Sequence, residues 1–188
     1  MPLHLLGRAL RHRRAGPDQL VWSRPDLRAP ETFHLTSPAF DDGAPIPERH
    51  RGRLFAANVS PALAWTAPPV GTAELVLVVQ DPDVPFGKPA VHALVCGIDP
   101  SLGSLPENGL AAPGPVQGLT HGKGGLGRRG WAGPLPPPGH GLHTYAFQLF
   151  ALDRRLDLSP GFSLDDGVRA MEGHVTGRAR LDGTYERP

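Results

Sequence analysis

Residues 131–145 read Trp-Ala-Gly-Pro-Leu-Pro-Pro-Pro-Gly-His-Gly-Leu-His-Thr-Tyr and run straight into an apolar stretch, Tyr145 to Leu152. Three successive prolines, Pro136, Pro137 and Pro138, fix φ and hold the backbone extended. Gly133, Gly139 and Gly141 permit positive φ and let another molecule approach the main chain closely. His140 and His143 sit where this stiff loop meets a strand. Rigid loops carried on strands are where binding groups are commonly placed. The same residues also suit a surface turn with two solvated histidines, so the stretch by itself leaves both readings open.

A second stretch adds direction. Asp81-Pro-Asp-Val-Pro85 follows the apolar run Leu75 to Val79, and His92 precedes another, Ala93 to Ile98. Asp-Pro-Asp-x-Pro is a turn by composition. Its carboxylates leave the end of one strand as His143 enters another. If those strands are neighbours, Asp81, His92, His143 and Tyr145 converge on one pocket.

The whole chain bounds the answer. With 188 residues, a single domain is expected. The net charge of +1 supplies no field that would draw the chain to nucleic acid. No apolar run approaches the roughly 20 residues of a transmembrane helix. The only cysteine, Cys96, lies inside an apolar run and suits a small buried side chain in a reducing, cytoplasmic setting. The 24 glycines and 23 prolines are too many for a helical protein and fit short strands joined by stiff loops.

Residues 1–32 differ from the rest, 33–188. They carry Arg8, Arg11, Arg13, Arg14, Arg24 and Arg28, with Leu3, Leu6 and Leu10 spaced as a short helical stripe. They read as an arm: a loose tail, or a segment that packs on a partner subunit in a homodimer or on an acidic surface. Strands are expected at 33–40, within 54–65, at 74–80, 91–98, 144–152 and 178–186. Lack of strict alternation in the 74–80 and 91–98 runs implies burial on both faces. Ser163-Leu-Asp-Asp166 has capping-box spacing and predicts a helix over 164–174. Gly122-Lys-Gly-Gly-Leu-Gly127 spells G-x-G-x-x-G, but no strand precedes it and no helix follows, so it reads as loop. Lys123, Arg128 and Arg129 on that loop could attract an anion to a neighbouring pocket.

Several motifs, in order, resemble the phosphatidylethanolamine-binding proteins in their bacterial Raf-kinase-inhibitor-like branch. They are Leu-Thr-Ser-Pro-Ala-Phe (35–40), Pro-Ile-Pro-Glu-Arg (45–49), Ala-Asn-Val-Ser-Pro-Ala-Leu-Ala-Trp (57–65), Asp-Pro-Asp-Val-Pro (81–85), His92, Gly-Pro-Leu-Pro-Pro-Pro-Gly-His-Gly-Leu-His-Thr-Tyr (133–145), Phe-Ala-Leu-Asp (150–153) and Gly-His-Val to Gly-Thr-Tyr-Glu-Arg (173–187). The resemblance runs from about residue 33 to 187 and departs from the family at Ala93 and Leu135. It implies a mostly-β domain with a large central antiparallel sheet, a smaller second sheet and a few short helices. It also implies a shallow pocket for phosphate-like anions and phospholipid head groups, and inhibition of a kinase or protease partner.

The residues suit that chemistry. Imidazoles supply hydrogen-bond donors, and backbone amides near glycines can add more. His92 and His143 are expected as the main donors, Asp81 as the group that orients an imidazole, and Tyr145 as wall or hydroxyl donor. Pro85, Gly133, Pro136 and Pro137 would shape the rim, and His140 is expected to point to water. The function expected is non-enzymatic binding without a cofactor. A histidine-dependent phosphoester hydrolase or phosphotransferase is the alternative, weakened because no Ser or Cys sits beside these histidines in a nucleophile motif. Zinc on His140, His143 and Asp81 lacks a dense ligand set.

Overall fold

The computed structural model describes residues 3–52 and 58–188, so part of the expected 54–65 segment lies outside the described residues. The chain forms strands β1 (Leu35–Thr36), β2 (Leu63–Trp65), β3 (Glu74–Asp81), β4 (Ala90–Ile98), β5 (Ser104–Leu105), β6 (Thr120–His121), β7 (Leu142–Leu152) and β8 (Val175–Glu186). Its α-helices are α1 (Leu3–Leu10) and α2 (Leu164–Met171). One sheet has the order β6-β4-β3-β7-β8 and the other β1-β2-β5, with every strand pairing antiparallel. This is the mostly-β architecture expected, with two sheets and few short helices.

The run that does not alternate sits where both faces are covered. Every residue of β3 is buried. Leu75, Leu77 and Val79 face the core shared with the small sheet, together with Tyr145, Phe147 and Leu149. Val76 and Val78 face the opposite side, with Phe150, Leu152 and the α2 residues Val168 and Met171. Ser163 caps α2 as its spacing predicts, and Asp166 returns the bond to the Ser163 backbone.

Val21 and Leu27 belong to that second core, and both they and Leu20 are almost fully buried. The Arg-rich arm is thus no loose tail: residues 17–28 run as short 3-10 turns across the outer face of its own sheet. Two glutamines in the sheet receive it. Gln80 accepts from the Val21 amide at 2.9 Å, and Gln148 from the Trp22 amide at 2.7 Å. The Trp22 ring packs on Phe150 and under the Arg178 guanidinium, 4.0 Å from the ring centre. Of the expected leucine stripe on α1, Leu6 is half exposed and does not form the contact. Gly7 does: a Cβ there would lie 1.9 Å from the Pro138 carbonyl oxygen.

Topology places the site. β3 lies between β4 and β7, with Asp81 opposite Ala90 and Gln80 opposite Ala146. The end of β3 therefore meets the starts of β4 and β7, which carry His92 and His143 with Tyr145.

Candidate functional site

At this edge lies a cleft of about 360 Å³. Its apolar walls are Val84, Pro85, Phe86, Leu135, Pro136 and Pro137, and its polar groups are Asn58, Asp81, His92, Arg128 and Tyr145. The 131–145 loop is held in place by close packing. Trp131 stacks on Phe147 at 5.7 Å and donates from Nε1 to the His50 carbonyl. Gly133 crosses Gly52 so closely that a Cβ would lie 2.5 Å from the Gly52 nitrogen. The Gly133 amide donates to Asn58 Oδ1 at 2.7 Å.

His92 is clamped to the same loop. Its Nδ1–H donates to the Ala132 carbonyl, while its own carbonyl accepts from the Ala132 amide at 2.8 Å. The bond at Nδ1 sets the neutral tautomer, so Nε2 carries a lone pair. Burial pushes the His92 pKa down, against the Ala132 carbonyl and Asp81, which favour the charged ring. The Tyr145 ring meets His92 edge-on at 5.0 Å. Burial, and then nearby Asp81, push the phenol pKa up, so Tyr145 keeps its proton. His92 Nε2 and the Tyr145 hydroxyl are both buried without a hydrogen-bond partner among the described residues.

Asp81 is engaged from behind. Its Oδ1 accepts from the Asp83 amide at 2.7 Å, a bond made by the turn it opens. Its Oδ2 faces His143 Nδ1 at 2.7 Å. His143 Nε2 meets His140 Nδ1 at 2.8 Å, and His140 Nε2 meets the Leu10 carbonyl at 2.9 Å. Asp81, His143 and His140 are 2%, 0% and 1% exposed.

Among the sequence-expected residues, Asp81, Pro85, His92, Gly133, Pro136, Pro137 and Tyr145 line the one cleft, whereas His143 does not. Both nitrogens of His143 are spent on Asp81 and His140, so it supports the cleft rather than donating into it. His140 does not point to water; it is buried in the same chain. Several backbone amides near the glycines are already engaged, among them that of Gly133 on Asn58. Gly139 donates to Arg187 O and His140 to Pro137 O, and Pro134, Pro136, Pro137 and Pro138 have no N–H. Phe86, which no motif marks, and Arg128, on the basic loop, also line the cleft. Nothing in the residues near Leu10 or Arg14 signals their part, since both reach the site only through the fold. Among the described residues no group of three or more His, Cys, Asp or Glu is set to hold a metal. His174 pairs with Asp153 at 3.0 Å, away from the cleft.

A two-sheet antiparallel domain with a His- and Asp-bearing cleft at one sheet edge defines the class. The sequence pattern of the family described as phosphatidylethanolamine-binding protein matches residues 36–186, and the chain belongs to that family. A UPF0098 protein of Methanothermobacter thermautotrophicus is 40% identical over 155 residues, covering 82% of this chain and 99% of its own. A Mycobacterium tuberculosis protein that carries the lipoprotein name LppC is 42% identical over 161 residues, 84% of this chain and 74% of its own. Escherichia coli YbcL, described as a new member of the mammalian family, superposes with a TM-score of 0.75 at 27% identity. That match covers 83% of this chain and 99% of YbcL. The Chlamydia trachomatis homolog CT736 gives 0.73 at 32% identity, over 83% and 98%. No helix among the described residues is long and apolar enough to cross a membrane.

Proposed function

We propose that the cleft binds phosphate-like anions, as a free ion or a phospholipid head group, without chemical turnover. The observation that carries this reading is the pair of unpartnered buried atoms, His92 Nε2 and the Tyr145 hydroxyl, in one cleft with Arg128. A buried polar atom left unpaired costs about 1–3 kcal/mol; a ligand oxygen relieves the Tyr145 hydroxyl directly and His92 Nε2 once that nitrogen is protonated. The Asp83 amide and His143 offset part of the Asp81 charge, because they take up its oxygens, and the Arg128 guanidinium in the same lining supplies the opposite sign. Tyr145 donates as it stands. His92 donates from Nε2 only after taking a proton, so anion binding is coupled to proton uptake.

The sign follows from that coupling. Burial lowers the pKa of empty His92, and an anion at Nε2 raises it. Affinity then falls as pH rises from the lowered value through the raised one, by up to about tenfold per pH unit. Sulfate is the probe, because its charge is constant in this range. Calorimetry in two buffers of different ionisation enthalpy should show uptake of about one proton per sulfate. Affinity independent of pH, or undiminished in His92→Gln, would refute the proposal. The neutral lone pair of His92 also fits a general base for phosphoester hydrolysis by water. Turnover of a phosphoester that disappears in His92→Gln would favour that reading instead.

A further inference from the structure

We propose that the segment Leu10–Gly16 is a positioning element of the cleft, a strap whose grip is tied to one buried proton. The strap touches both walls. Arg14 pairs with Asp83 and donates to the Leu142 carbonyl at 2.9 Å. The Ala15 and Gly16 amides donate to Val84 O and Pro82 O, each at 3.0 Å. Leu10 O receives His140 Nε2. Residues 10–16 thus join the turn that follows Asp81 to the loop that carries His140 and His143. This segment precedes the family match, which begins at residue 36.

Counting hydrogens identifies the proton. Three contacts link Asp81, His143, His140 and Leu10 O in a row. A carbonyl has no hydrogen to give, so His140 Nε2 must donate to Leu10. The other two contacts need one hydrogen each. A carboxylate with two neutral imidazoles holds only two hydrogens. That set would carry a net charge of −1 and leave one contact empty, at sites at most 2% exposed. Three hydrogens make it electrically neutral and fill every contact, which is what a buried polar network requires. Burial, then His143, pushes the His140 pKa down, so the third proton rests in the Asp81–His143 contact. The other groups facing the set are Asp83 with Arg14, His92 and Tyr145 on the cleft side, and Tyr185 opposite His143 on β8.

Linkage makes the strap and the proton hold each other. A docked strap ends the row on an acceptor and excludes water, so docking and retention of the third proton favour each other. Docking is therefore firmest at low pH and weakens as pH rises through release of the proton from the docked form. The effect on ligand rests on the anion-binding reading above.

The test uses the full chain labelled with 15N-histidine. Amide exchange at Ala15 and Gly16, corrected for intrinsic rates, and the His140 and His143 15N shifts are followed together as pH is raised across the folded range. Protection should fall about tenfold or more, at the same pH at which the histidine shifts report proton loss. Gly7→Leu, which pushes α1 off Pro138, and Arg14→Met should move that release to lower pH. Both should weaken sulfate about tenfold, while Arg14→Lys restores most of the loss. Protection that ignores the histidine titration overturns the proposal, as do variants with unchanged histidine shifts or unchanged sulfate affinity. If the wild-type chain binds no sulfate while protection and shifts move together, the proton-linked strap stands and the anion reading falls.

Discussion

Replacing Asp81 in two ways separates its charge from its hydrogen bonds. Asp81→Ala leaves the Asp83 amide and His143 Nδ1 without their acceptors, at a position 2% exposed. Each orphaned donor costs about 1–3 kcal/mol, and breaking a buried ionic contact costs about 3–5 kcal/mol in all. With a urea m-value near 2 kcal/mol per molar, a loss of about 4 kcal/mol moves the unfolding midpoint by about 2 M. Asp81→Asn behaves differently. Its carbonyl still accepts from Asp83, and its amide donates to His143 Nδ1. His143 then donates to His140, and His140 to Leu10, so the row again holds three hydrogens and no net charge. The loss should stay below about 1.5 kcal/mol. The pH dependence of stability that comes from the third proton should also vanish. Urea unfolding followed by circular dichroism at several pH values measures all three. Equal losses for the two variants, or a pH profile of Asp81→Asn that matches the wild type, would refute the hydrogen count.

Three further outcomes follow from burial. Leu20→Ala and Leu27→Ala should each lower unfolding free energy by about 2–5 kcal/mol, because both side chains are fully buried, Leu27 in the second core; urea midpoints equal to wild type would mean the arm is detached. Burial pushes the Cys96 thiol up to about 12, so it should resist iodoacetamide in the native chain and react on unfolding. Burial also raises the Glu74 carboxyl above its ordinary value, with the Leu156 amide opposing. Its charged form therefore weakens the fold, and wild-type stability should fall relative to Glu74→Gln as pH rises past the ordinary carboxylate range in urea titrations.

The sequence showed most clearly what local chemistry determines. The two-faced apolar run became central β3, and Ser163 with Asp166 became a helix cap, because both signals lie within a few residues. The cleft was legible because Asp81, His92 and Tyr145 all stand at strand ends that an antiparallel order brings together. Direction was not legible. Whether His143 faces the cleft or stands behind Asp81 depends on which of its nitrogens find partners, and one of those partners is His140. The fate of the arm was hidden for a similar reason. Its buried residues are isolated among arginines and prolines, and the glutamines that receive it look like ordinary polar strand residues until the sheet exists. β5 and β6 are two residues long, too short for any periodicity to register.

The claim on which the account turns is that His92 Nε2 and the Tyr145 hydroxyl form the polar end of an anion cleft. The most direct measurement is a 15N-histidine titration of the full chain with glycerophosphoethanolamine, a soluble phosphodiester. The account predicts that the His92 Nε2 resonance moves toward its protonated position, and that Tyr145→Phe weakens binding about tenfold. A His92 resonance that stays still at saturation, or binding undiminished in Tyr145→Phe, would contradict it.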